Sequence, residues 1–423
     1  MEESKQGKRK LHRGWWIIIT TFIIMVLVYA PSVSMGGLFV VPISEAQGVT
    51  RTAVALGSTL AFFASIPICI FAGKIMNLTK IRYVEAIVLG FTVISWILPA
   101  VFPSLTMYYI CMIVRGLASP MCPMIALSIL SDRWFGPKAR GRALGIATVG
   151  SGLGQMILNP IVAGIIEKYG WRTGYIFFAV LAAIVIPLVL ATWGESPEEY
   201  GLERIGEADP DDPVVQQKVY GPTLKKVLTS PFFWFAFIGM VLSAGGSQTT
   251  LTLGASFFQT AGFSAVTAAT FLTFGSFGIM IGKLFLGTVI DKLGVQVGIP
   301  LGGILMAVGY GGMMLGIKNP VFMLMAVFAF VWGMGCAVIN LAIPLFSSVL
   351  VGTRSYPVVV SLIQMATSLG AGTLPTLFSS TYEKTGNYYT AWTGAMIVSI
   401  CFAVIAIICI GVRKKHPASE ITE

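Results

Sequence analysis

Long apolar runs alternate with short polar segments along the whole chain. Twelve runs stand out, near 15–41, 53–73, 83–101, 106–131, 143–166, 173–193, 231–259, 266–290, 298–317, 321–350, 356–382 and 389–412. At about 1.5 Å per residue, each is long enough to cross a hydrocarbon layer roughly 30 Å thick as a helix. Helices suit that setting, because lipid offers no partner to a backbone N–H or C=O. One polar stretch breaks the rhythm. From Gly194 to Ser230 the chain is acidic and Pro-rich (ESPEEYGLERIGEADPDDP) and then basic at Lys225 and Lys226. The pattern predicts an all-α polytopic membrane protein with twelve transmembrane helices. Its parts are a tail (1–14), six spans (15–193), a linker (194–230), six spans (231–412) and a second tail (413–423).

Composition sharpens this. Of 423 residues, 56% are hydrophobic and 11% charged, whereas soluble domains carry about 25% charged residues. The net charge of +10 does not read as nucleic-acid binding, because no basic face is interleaved with aromatics. Most of the 28 Lys and Arg fall in the tails, the linker and alternate turns, while Arg51, Lys168, Arg172, Lys318 and Lys384 occupy the other turns. The positive-inside rule then places both termini in the cytoplasm, with the bilayer of the inner membrane as the surrounding medium. The first apolar run is too long for a signal h-region and lacks a small-x-small site, so an uncleaved tail is expected.

The chemistry excluded is broad. The six cysteines lie in apolar runs without a CxxC pair, and the two histidines, His12 and His416, lie in the tails. No disulfide framework and no metal cluster is expected. Gly150-Ser151-Gly152-Leu153-Gly154 sits inside an apolar run with no strand before it and no Walker lysine, so no nucleotide cofactor is expected. Its small residues suit close helix approach instead. No enzyme signature is present, and any solute movement would be secondary. A monomer is the expected state.

Two cations stand inside apolar runs, Arg115 and Lys283. Each costs at least about 2.5–3.5 kcal/mol to insert, so such groups usually pair or serve a pathway. Arg115 could instead hold backbone carbonyls of neighbouring helices, and Lys283 could extend toward the surface. Glu45, Glu85, Glu167 and Glu383 fall near run ends, and Asp132 and Asp291 fall in turns. Two cations without a mid-membrane acid predict a positive cavity, suited to a small organic anion. If protons are co-transported, Lys283 is the candidate carrier, since lysine can release its proton. Tyr29, Ser34, Ser119, Gln155, Asn159, Gln248, Thr249, Asn340 and Gln364 are candidates either to line that cavity or to bond helix to helix. Trp332 is a candidate apolar wall. Pro31, Pro67, Gly36-Gly37 and Gly245-Gly246 are candidate bends. Asp291, with Arg140, Arg142 and Arg354, is a candidate cytoplasmic gate.

The halves also look related. Gly73 follows span two as Gly287 ends span eight, and Ser151-Gly152-Leu153-Gly154 in span five has an echo in Ser368-Leu369-Gly370 of span eleven. Gly287-x-x-x-Asp291-Lys292-x-Gly294 resembles the loop motif of the major facilitator superfamily. The first-half copy departs from it, with Asn77 and Lys80 at the acid and second-Gly positions. Arg133-Trp134-Phe135, Arg140-Gly141-Arg142-Ala143-Leu144-Gly145-Ile146, the Gly150–Gly154 run and Tyr169-Gly170-Trp171-Arg172 resemble its monocarboxylate-transporter and oxalate/formate-exchanger branch. The resemblance implies two pseudo-symmetric six-helix bundles around a central cavity, working by alternating access on a small organic anion. It also implies that Lys283, four residues before Gly287, stands where the branch has a substrate-binding arginine. An acid found one turn earlier in the animal carriers is Ile279 here.

Overall fold

The computed structural model describes residues 12–76, 78–206, 223–318, 321–351 and 356–415. Among them the regular structure is helical, apart from one backbone bridge between Phe135 and Ile205. The helices are α1 (Arg13–Ser34, continued by Gly37–Gln47), α2 (Arg51–Met76), α3 (Ile81–Val101), α4 (Leu105–Trp134), α5 (Pro137–Tyr169) and α6 (Trp171–Thr192). The second half holds α7 (Pro231–Thr260), α8 (Ala265–Leu293), α9 (Val295–Lys318), α10 (Phe322–Cys336, continued by Val338–Val351), α11 (Tyr356–Thr385) and α12 (Tyr389–Lys415). Eleven spans among the described residues are long and apolar enough to cross a membrane. The twelfth, α7, has that length but a polar centre, Ser243-Ala-Gly-Gly-Ser-Gln-Thr-Thr250.

The start of α1, the end of α12 and the described linker residues 194–206 and 223–230 share one face of the molecule, here called the linker face. The α1–α2, α3–α4 and α5–α6 turns lie on the far face. Local chemistry sets these turns. Ser104 and Ser264 accept hydrogen bonds from the Met107 and Thr267 N–H groups and so cap α4 and α8. Gly294 turns the chain from α8 to α9 at φ +87°, a conformation that favours glycine. That explains the last Gly of the loop motif. In the first half Lys80 stands in the corresponding place with an ordinary extended backbone, φ −61°, so no glycine is required there.

Small residues pack the helices as the repeat suggests. A Cβ on Gly150 or Gly154 of α5 would run into the backbone of Phe22 or Val26 of α1. A Cβ on Gly370 of α11 would meet the carbonyl of Val241 on α7. The same small-residue contact thus recurs in both halves. The expected bends are realised unevenly. α1 breaks at Met35-Gly36. α2 runs unbroken through Pro67 and α7 through Gly245-Gly246, where Gly245 serves close approach to Leu374 and Gly370 of α11. α4 breaks where no bend was expected. Cys122, between Pro120 and Pro123, has φ −105° and ψ 112°, since proline cannot donate to the helix ladder.

The expected linker is also more structured at its start than its polarity suggests. Residues 194–206 dock on the first half. Ile205 exchanges backbone hydrogen bonds with Trp134 and Gly136, Trp134 donates to the Gly194 carbonyl, and Glu195 accepts from both Arg133 and the Ile81 N–H.

Candidate functional site: the interface between the halves

The buried core divides unevenly. On the far face one continuous apolar cluster joins both halves, with Leu38 and Phe39 of α1 beside Leu253 and Phe257 of α7. On the linker face the halves keep separate clusters, one around Trp134 and one around Phe346. Polar contacts follow the same division. Arg51 reaches Tyr388 at 3.4 Å and Thr260 at 3.5 Å, and its guanidinium lies over the Tyr382 ring at 4.7 Å. The Thr52 N–H donates to Glu383 at 3.0 Å and the Thr52 hydroxyl to Ser379 at 3.2 Å. One turn pair deeper, Thr59 bonds Thr376 at 2.6 Å and also the Gly372 carbonyl. These residues seal α2 against α11 from the far surface to about mid-depth.

Two of the expected polar residues meet across the interface. Gln155 of α5 accepts from Ser276 of α8 at 3.2 Å, and Gln248 of α7 donates to the Val33 carbonyl of α1 at 3.3 Å. Both glutamines are buried. Asn159, one turn beyond Gln155, is buried too, at 4% exposure. Thr249 bonds back to the Gly245 carbonyl of its own helix. Lys283 lies on α8, half-buried, with no hydrogen bond or ion pair among the described residues.

Arg115 is placed differently. It is 5% exposed and its donors are spent within the first half. Nε donates to the Ser95 hydroxyl at 3.3 Å and Nη2 to the Ser95 carbonyl at 3.0 Å. Its guanidinium lies over the Trp96 ring, with Tyr175 of α6 beyond. It therefore ties α4 to α3 and α6. Tyr29 packs against the linker-face core of the first half, and Ser119 ends the first segment of α4 through its N–H bond to the Arg115 carbonyl. Trp332 is buried against Tyr310 and the α-carbons of Gly275 and Gly309. Asn340 and Gln364 are exposed on the second half.

Glu85 stands near a run end, yet it is buried. It lies one turn inside α3 and is 0% exposed. Being near the end of an apolar run did not keep it in water, because α4 and its broken segment cover that end of α3. A cavity of about 240 Å3 opens on the far face beside Gln47, Ser104 and Arg172, away from Gln155, Gln248 and Lys283.

This arrangement of two six-helix halves, joined at one face and carrying polar side chains on facing helices, matches known proteins. A family model, the Major Facilitator Superfamily, matches residues 17–375 and 272–423. The chain belongs to the Major Facilitator Superfamily. It is 26% identical over 271 residues to the membrane sensor protein UhpC of Escherichia coli, covering 60% of each chain. It is 24% identical over 198 residues to monocarboxylate transporter 14 of Homo sapiens, covering 44% of this chain and 37% of that one. The aligned stretch thus spans 60% and 37% of these two relatives, less than two thirds of each. Among solved structures, an inward-facing, occupied bacterial homolog of the human lysosomal transporter Spinster superposes with a TM-score of 0.68 at 16% identity, covering 96% of this chain and 97% of that one. These relatives are transporters and a sensor, not enzymes.

Within this superfamily member, the expected gate residues are scattered. Arg140 pairs with Asp132 of its own half at 2.7 Å, and Arg142 is exposed. Arg354 and the side chain of Asp291 lie outside the described residues. The far-face contacts were not anticipated. Arg51 read as an outside basic residue and Glu383 as a run-end acid. The available signal was weak: Thr52 and Thr59 stand seven residues apart, on one face of a helix.

Proposed function

We propose that this protein is a secondary transporter that carries a small organic anion, a monocarboxylate of lactate's kind, by proton symport and alternating access. Lys283 supports this most directly. It is a half-buried cation with no partner among the described residues, on a helix that packs across the interface through Ser276 and Gln155. An unpaired charge in that setting is costly, and a bound carboxylate would relieve it. Gln155, Gln248 and Asn159 supply neutral hydrogen-bonding groups on the facing helices. Arg115 in this reading holds α3, α4 and α6 together. The similarity to monocarboxylate transporter 14 points to the same substrate class. The linker face is then cytoplasmic, with both tails inside the inner membrane, and the state described is closed to the outside. The protein acts as a monomer.

Uptake of labelled lactate into proteoliposomes under an inward proton gradient tests this. Accumulation that a protonophore collapses, and that Lys283→Ala weakens about tenfold or more, is expected, since a hydrogen bond to a charged group contributes roughly 1.5–3 kcal/mol. Exchange against preloaded oxalate or formate without gradient-driven uptake would make the protein an anion exchanger instead.

A sensor that binds the anion without moving it is the alternative favoured by the similarity to UhpC. Calorimetric binding of lactate with neither uptake nor exchange would select it.

A further inference from the structure

Glu85 has no role in the transport scheme above. It is 0% exposed, and neither carboxyl oxygen meets a hydrogen bond of normal geometry. Ile81, Val88 and Leu89, one turn away on the same helix face, are buried apolar residues. The polar group that faces it is the Cys122 thiol.

Among the described residues no charged side chain on the helices packed against α3 bonds to it. On α4, Arg115 is bonded to Ser95, further along α3, and Arg133 to Glu195. Tyr108, Tyr109 and Cys111 of α4 lie on the far-face side of Arg115. On α6, Tyr175 packs on Trp96, and Arg172 stands at the far end. On α2, Arg51 belongs to the far-face contacts, and the side chain of Lys74 lies outside the described residues. An ionised carboxylate in such a place is far costlier than a neutral acid. Beside it α4 is broken at Cys122, between the segment that carries Arg115 and the segment that ends at Trp134.

We propose that Glu85 is the proton-binding site of this transporter. A carboxyl oxygen takes a proton from water and holds it while α4 is packed as described. The proton returns to linker-face water when α4 rearranges at Cys122 and solvent reaches the carboxyl. This assigns the proton to Glu85 rather than Lys283, and its transport arm rests on the symport reading.

Infrared spectroscopy of the full-length protein in lipid tests the protonation independently of any substrate. The expected result is a protonated-carboxyl stretch at neutral pH, sensitive to D2O and missing in Glu85→Gln. Identical spectra for the two proteins would overturn the proposal. In proteoliposomes that transport lactate, Glu85→Gln loses about tenfold or more of gradient-driven accumulation while exchange falls far less, and Glu85→Asp regains part of the accumulation. Undiminished accumulation in Glu85→Gln, or Gln outperforming Asp, would overturn it as well. If the wild type moves no lactate, the transport reading fails while the infrared band still decides the protonation.

Discussion

The guanidinium carbon of Arg115 lies 3.3 Å from the centre of the Trp96 ring, and the same group donates twice to Ser95, the residue before that tryptophan. One side chain of α4 thus grips two successive residues of α3. Arg115→Lys keeps the charge but loses the fork that makes two bonds at once. It is expected to lower stability by about 1–3 kcal/mol, read as a lower unfolding midpoint in detergent. Trp96→Leu should act in the same direction, and the double variant should cost less than the sum. Wild-type stability with weakened lactate binding in Arg115→Lys would instead make Arg115 a substrate group.

Arg51→Ala removes two long hydrogen bonds and a cation–π contact that join the halves on the far face. A loss of about 1 kcal/mol is expected, which shifts the population open at the far face roughly fivefold. Spin labels placed on the far ends of α2 and α11 would report longer distances. Unchanged distance distributions would show that the apolar cluster alone closes this face.

Gly37→Ala should act more strongly. A Cβ there meets the backbone carbonyls of Leu251 and Thr252 on α7, and backbone cannot step aside as a side chain can. Overpacking of this kind costs about 1–3 kcal/mol. The variant should insert and fold, yet populate the far-open state and slow transport about tenfold. Accessibility of a cysteine at the α1–α7 contact to a polar thiol reagent measures it.

Glu195→Gln separates the docked start of the linker from the first half. Glu195 accepts from Arg133 and from the Ile81 N–H at the start of α3. Losing the charge at this partly buried pair should cost about 1 kcal/mol. Proteolysis near residue 206 should quicken measurably, while an exposed pair such as Lys80–Glu199 should tolerate the same change. Equal rates for both variants would remove Glu195 as the anchor.

Local physics made much of this protein legible from its residues. Apolar runs of membrane-spanning length announce helices, because a bilayer leaves the backbone no other partner. The polar break after Trp193, the repeated small residues of α5 and α11, and the loop ending in Gly294 each follow from a requirement the residue itself carries. The break in α4 at Cys122 was not among the bends read from the sequence. The sites lay beyond that. Arg115 and Lys283 look alike in sequence, each a lone cation in an apolar run. Only packing shows that Trp96 and Ser95 satisfy the first while no described side chain satisfies the second. Glu85 sits near a run end, where water is the natural expectation, and α4 covers it. Thr52 and Glu383 stand more than three hundred residues apart, and nothing local to either predicts the other. Burial and partnership are properties of neighbours, so tertiary structure alone decided them.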